Sequence, residues 1–185
     1  MGLVREAARA ACQLHSCQKR AGGKLSVSGE PYIFHPMRVA GMLTMLDDKF
    51  LPLSINDGML AAAWLHDVYE DTALLPPVLS SSFGDIVGGY VEELTNRFTK
   101  NAYPTMNRKK RKRAEVNRLA EISPQAQVIK LCDRLDNLQT ISVKGRKFSL
   151  LYCDESDALA HALTVSPPLQ VAIMRLTQKI RKGLA

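Results

Sequence analysis

The sequence predicts an all-α protein folded as one compact helical bundle, and three observations carry that expectation. Apolar residues recur at helical spacing through most of the 185 residues. Helix-start signals, a capping polar residue or an early proline, open several of those stretches. No segment shows the apolar–polar alternation of a half-buried strand. Residues 3–20 read as an amphipathic helix with Leu3, Val4, Ala7, Ala8, Ala11 and Leu14 on one side. Residues 22–29, rich in glycine and serine, read as a loop, and Pro36 opens a second helix over 36–46. Asn56 or Asp57 caps a central helix expected to run unbroken to about Thr72. Pro76 and Pro77 start a short helix ending near Gly84, followed by helices over 85–99 and 105–121. Ser123 and Pro124 begin a helix reaching about Thr140, and helices over 155–164 and 167–182 close the bundle.

Composition narrows the class. A chain of 185 residues suits a single domain with a proper core. It shows no charged-then-apolar leader and no apolar run near the ~18 residues a membrane span needs. Cys12, Cys17, Cys132 and Cys153 form no Cys-x-x-Cys pair, so reduced thiols in the cytoplasm are expected rather than disulfides or zinc. The formal net charge is +7, and residues 108–113 are six consecutive arginines and lysines. That run reads as a solvated surface turn, as a means of drawing an anionic nucleotide to a site mouth, or as a nucleic-acid contact. No interleaved aromatics support the last.

The chemistry concentrates in Trp64-Leu65-His66-Asp67-Val68-Tyr69-Glu70-Asp71-Thr72. On a helix turning about 100° per residue, His66 and Glu70 stack one turn apart, as do Asp67 and Asp71. The apolar run 59–63 before them predicts burial. Three carboxylates and an imidazole on one side of a buried helix repel one another and lose hydration unless a positive group sits among them. A divalent cation is the simplest such group. His35, at the mouth of the helix opened by Pro36, and Asp133, in the apolar helix before Thr140, complete a set of nitrogen and oxygen donors without thiolates. That set suits Mn²⁺, Fe²⁺ or Mg²⁺, and softness and geometry favour Mn²⁺ over Ca²⁺. Trp64 and Tyr69 read as core, and His15 and His161 as structural or surface groups.

Three strings sharpen this reading: Gly29-Glu30-Pro31-Tyr32-Ile33-Phe34-His35-Pro36, Leu65-His66-Asp67-Val68-Tyr69-Glu70-Asp71-Thr72 and Lys130-Leu131-Cys132-Asp133-Arg134-Leu135-Asp136-Asn137. In that order they resemble the HD-domain phosphohydrolases, and more narrowly the hydrolase domain of the RelA/SpoT alarmone enzymes and the stand-alone small alarmone hydrolases. The resemblance is strongest over residues 3–142. It implies an HD-type helical bundle in which His35, His66, Asp67 and Asp133 hold the metal. It also implies that Glu70 and Asp71 support hydrolysis of the 3′-pyrophosphate of (p)ppGpp, giving GDP or GTP and pyrophosphate. Glu70 is expected to position or deprotonate the nucleophile and Asp71 to assist the leaving side. The chain length leaves no room for a following synthetase domain, so degradation alone is expected.

One stretch departs from the resembled pattern, a His-x-x-Gln-x-Arg-Lys string that leads quickly into Gly-Glu-Pro-Tyr. His15, Gln18 and Arg20 match it, but Ala21 follows and residues 22–28 lengthen the loop. Arg20 is expected to stack on the purine, Lys24 to hold phosphate, and Asn137, one turn after Asp133, to bond ribose or phosphate. The altered loop leaves open another nucleotide such as ppApp or a nucleoside monophosphate, and a non-catalytic alarmone-binding module is a further alternative. The expected partner is a small nucleotide, with neither nucleic acid nor membrane involved, and no residue pattern sets an oligomeric state.

Overall fold

A computed structural model describes residues 2–19, 29–46, 51 and 53–184. Ten α-helices are present among them: α1 (Leu3–Leu14), α2 (Phe34–Thr44), α3 (Asp57–Leu65), α4 (Val68–Asp71), α5 (Pro76–Phe83), α6 (Asp85–Leu94), α7 (Arg108–Leu119), α8 (Pro124–Thr140), α9 (Arg146–Ala162) and α10 (Pro167–Gly183). A 3₁₀ turn, Ile141–Lys144, joins α8 to α9. No strand occurs among the described residues, which hold only an isolated bridge between Lys19 and Pro31. The fold is all-α, as its sequence predicts. No described helix is long and apolar enough to cross a membrane.

The centre of the bundle is α3, which packs on α1, α2, α6 and α8. Its Ala61, Ala62 and Ala63 are fully buried, and α1 lays Ala7 and Ala11, also fully buried, against it. Small side chains on facing helices let the axes approach closely, so α3 can be surrounded on all sides. Met59, Leu65, Leu43, Ile129, Leu131 and Leu138 fill the spaces around those alanines. Trp64 and Tyr69 pack at the edge of this core, as expected. On the far side, α10 covers α8 and α9.

The caps follow the sequence closely. The Asn56 side chain accepts a hydrogen bond from the Met59 N–H at 3.1 Å, and the Ser123 hydroxyl accepts one from the Ala126 N–H. Prolines occupy the first turns of α5, α8 and α10. All four cysteines are free thiols, Cys132 and Cys153 buried and Cys12 and Cys17 exposed.

Several boundaries differ from expectation. The first helix stops at Leu14, where His15 to Cys17 turn back. The sixth ends at Leu94, because the Thr95 hydroxyl caps the Val91 carbonyl and its backbone turns extended. The helix expected over 105–121 runs from Arg108 to Leu119, capped by Asn107, so residues 108–113 are helical and the surface-turn reading of that run does not hold. The ninth helix begins at Arg146 rather than near residue 155; its N-cap is Gly145 at φ 88°, a conformation open to glycine that lacks any capping side chain.

The largest correction is at the centre. The expected continuous helix to Thr72 breaks at His66 and Asp67, leaving α3 and the four-residue α4. Asp67 sits at φ −102°, ψ 0°, off the helical values, and His66 turns its Nδ1 onto the Ala63 carbonyl at 2.8 Å. The two side chains thereby converge on one point instead of fanning out around a helix.

Candidate active site

The break between α3 and α4 faces the start of α2 and the middle of α8, and four side chains meet there. His35 Nε2 lies 3.2 Å from His66 Nε2, 3.2 Å from Asp133 Oδ1 and 3.5 Å from Asp67 Oδ2. His66 Nε2 lies 3.1 Å from Asp67 Oδ2 and 3.8 Å from Asp133 Oδ1. Donors about 2.1 Å from a shared cation stand roughly 3.0–3.4 Å apart, so this spacing suits a common metal ion. His35, His66 and Asp133 are all buried and offer three donor atoms within 4.8 Å of one another. Asp67 joins them from the rim, its Oδ2 also taking a hydrogen bond from the Tyr32 hydroxyl.

The second layer prepares both imidazoles as donors. The Ala63 carbonyl can only accept, so His66 carries its proton on Nδ1. His35 Nδ1 faces Asp136 Oδ2 at 2.7 Å and donates to it, the usual support for a metal-binding histidine. Asp136 is itself held by Arg38 Nε at 2.6 Å, and Arg38 clasps Glu30 with both terminal nitrogens at 2.7 and 3.0 Å. Both Nε2 atoms therefore point at the shared centre. Replacing Asp136 with asparagine should weaken metal binding about 10–100-fold, while Arg38 keeps Glu30 and the fold stays intact. Calorimetric titration with Mn²⁺ checks this; undiminished affinity would remove Asp136 from the supporting role.

The electrostatics show how strongly the cluster favours positive charge. Burial pulls both imidazole pKa values down, yet the surrounding carboxylates outweigh it: Asp133, Asp136 and Asp67 raise His35 to about 10, and Asp67 raises His66. Burial opposes ionisation of Asp133 as well, but Lys130 and then the two histidines hold it well below the usual carboxylate range. Lys130 is kept charged despite its burial by Asp133, 2.8 Å away, and by Glu70. Asp133 divides its two oxygens: Oδ2 faces the Lys130 ammonium and Oδ1 the histidines.

Glu70 and Asp71, on α4, open onto the same cleft of about 1970 Å³ as His35, Asp67 and Asp133. The Glu70 carboxylate is reachable by solvent but crowded by protein. Partial desolvation raises its pKa; Lys130 and the Asn96 N–H, donated at 2.9 Å, oppose the rise, and Asp67 and Asp133 add to it. The Asp71 carbonyl accepts from the Gln18 amide at 2.6 Å, which ties α4 to the turn after α1. Asn137 lines the cleft and donates to Asp133 Oδ1, so it orients the carboxylate oxygen that faces the histidines. Arg20 and Lys24 lie outside the described residues.

Tyr32, Arg38, Lys130 and Asp136 are parts of the site that sequence reasoning missed. Asp136 left a signal: it lies three residues after Asp133, on the same helical face. Arg38 stands in the same relation to His35. Two further groups can be located. His15 is buried, stacks on Tyr32 at 4.8 Å between ring centroids, and bonds Gln18 at 2.7 Å, so it is structural. Of the basic run, Arg108, Lys109, Lys112 and Arg113 line the cleft.

The HD domain family model matches residues 7–159, and the chain belongs to that family. Within it, the chain is similar to proteins of alarmone metabolism. It is 34% identical over 153 residues to the GTP pyrophosphokinase rsh of Brucella ovis, covering 79% of this chain and 18% of that protein. It is 34% identical over 113 residues to the guanosine-3′,5′-bis(diphosphate) 3′-pyrophosphohydrolase MESH1 of Drosophila melanogaster, covering 61% of this chain and 57% of that one. The alignment thus spans less than a fifth of the Brucella protein and little more than half of the Drosophila one. A solved structure of a metazoan ortholog of SpoT, described as hydrolysing ppGpp and acting in starvation responses, matches with a TM-score of 0.80 at 25% identity over 100% of this chain and 98% of that one.

Proposed function

We propose that the protein is a metal-dependent hydrolase that removes the 3′-pyrophosphate of (p)ppGpp-type alarmones, with residues 1–185 acting as one HD-type domain. The observation that supports this most strongly is the convergence of His35, His66, Asp67 and Asp133 beside Glu70 in a cleft walled by basic side chains. Those four residues would hold the cation, for which Mn²⁺ is the proposed identity. Such an ion supplies Lewis-acid chemistry, making a nucleophile available at neutral pH and offsetting phosphate charge.

The chain's own groups then divide the work. Glu70 accepts the proton of the attacking water, a task suited to a carboxylate whose pKa is raised. The water oxygen bonds to the phosphorus attached to O3′, the O3′–P bond breaks, and O3′ leaves with a proton delivered from the Asp71 side. Lys130 keeps Asp133 ionised and screens it from Glu70. Tyr32 fixes the Asp67 carboxylate. Asn137, which lines the cleft, is proposed for the ribose or a phosphate, and Arg20 and Lys24 for the purine and a phosphate. The free-thiol pattern supports a reducing, cytoplasmic setting.

The test is pyrophosphate release from ppGpp and ppApp with Mn²⁺, with metal content measured on the same sample. Release of pyrophosphate from ppGpp, matched by GDP, is expected. A sample with full metal occupancy that releases none would overturn the proposal, and faster turnover of ppApp would reassign the base.

A further inference from the structure

One wall of the cleft pairs two stacked rings with a cation on each. Arg108 lies over Phe148, 5.2 Å from its ring centroid. Phe148 stacks on Tyr152 at 6.1 Å and 25°, and Arg134 lies over the Tyr152 ring, 4.5 Å from its centroid. Arg108 is neutralised by a two-pronged contact with Glu155, at 2.7 and 2.8 Å. Arg134 is not. It is only 8% exposed, its single hydrogen bond is a 3.3 Å contact with the Ser156 hydroxyl, and its Nε has no partner. Among the described residues no carboxylate pairs with it, and none pairs with Lys112 on α7. Both side chains line the cleft.

A buried guanidinium without a counter-ion is a costly arrangement that packing alone does not explain. With its face covered by Tyr152, its remaining hydrogen-bonding capacity lies along its edge, the geometry that suits phosphate oxygens. Lys112 faces the same charge: burial, and then Arg134, Arg108 and Lys130, push its pKa down against the pull of Glu155, so the cations here crowd one another. An anion entering between them relieves both. Arg134 also follows Asp133 directly on α8, and side chains of adjacent helical residues diverge by about 100°. One face of α8 thus serves the metal set while the next serves this wall.

We propose that Arg134 and Lys112 form a second anion subsite that takes the non-scissile 5′-diphosphate of the nucleotide, while the 3′-diphosphate sits at the metal set. This rests on the function proposed above and adds the residues that require charge at both ends of the substrate.

The experiment uses the metal-loaded full chain and GDP, whose only diphosphate is the 5′ one, with guanosine as the uncharged comparison. Calorimetry should show GDP binding at least about tenfold more tightly than guanosine, and Arg134→Met and Lys112→Met should each remove about tenfold of that preference, the size of a lost charge-assisted contact. The preference of kcat/KM for ppGpp over guanosine 3′-diphosphate should shrink by a similar factor. Arg134→Met should melt no lower than the parent, because an apolar side chain replaces an uncompensated buried charge. Should that variant fail to fold, Lys112→Met, less deeply buried, carries the test. GDP affinity untouched in a folded variant would overturn the subsite, as would equal losses for both substrates, which would place these cations on the reacting diphosphate. A parent that binds GDP through these residues but does not hydrolyse ppGpp would instead refute the proposed reaction and leave the subsite standing.

Discussion

Replacing His66 with alanine is expected to remove the cation and turnover together, lowering activity by about a thousandfold or more. Its Nε2 stands within 3.1–3.8 Å of the three other donor groups, and its Nδ1 is committed to the Ala63 carbonyl, so no neighbour can take its place. Without it, two carboxylates face each other across the site with His35 alone between them. A ligand that binds only the folded state raises the melting temperature, so the parent should melt lower in chelator while the variant should already melt low and ignore chelator. Metal analysis, pyrophosphate release and paired melting curves on the same samples read all three effects. A variant that keeps full metal occupancy and normal turnover would remove His66 from the site.

Glu70→Gln should lower kcat by about 10²–10⁴-fold while metal content and KM hold near parent values. Glutamine keeps an oxygen to accept from the Asn96 N–H, so the local fold survives and only basicity is lost. The sign with pH follows from the same carboxylate. Its pKa is raised, chiefly by desolvation, so the active deprotonated form is lost as pH falls through a value above the ordinary glutamate range. The rate–pH profile of the parent should therefore show an acid limb that the variant lacks. An amide variant with parent-like kcat would exclude Glu70 as the proton acceptor and leave Asp71 as the nearest carboxylate to test.

Legibility in the sequence tracked the locality of the physics. The eighth helix was readable at both ends because a serine cap and a proline mark its start and apolar spacing persists to Thr140. The first turns of the ninth were not, because its cap is a glycine conformation rather than a side chain. The unbroken central helix was a reasonable inference from propensity, and it failed where site geometry prevails: His66 and Asp67 leave helical continuity to bring their tips together. The four converging donors could be named because they sit in three short strings, His66 and Asp67 sharing one. Arg38, Lys130 and Asp136 could not, since their roles depend on contacts across the fold, as when His35 meets Asp136 from 101 positions away. Arg134 is the extreme case, a residue whose unpartnered Nε shows only in three dimensions.

The same distances bear on the order in which the site comes into being. His35 and His66 leave the ribosome long before Asp133 and Asp136, which belong to the eighth helix. Until that helix has emerged and docked on α2, the growing chain holds two imidazoles with neither Asp133 to complete the set nor Asp136 to orient His35. Because metal affinity in such a set is inseparable from the folded arrangement of its donors, the nascent chain has little means of selecting its ion. With the proposed ligand set, loading would be a late event, and the ion acquired would reflect what the finished protein meets rather than what surrounds the ribosome.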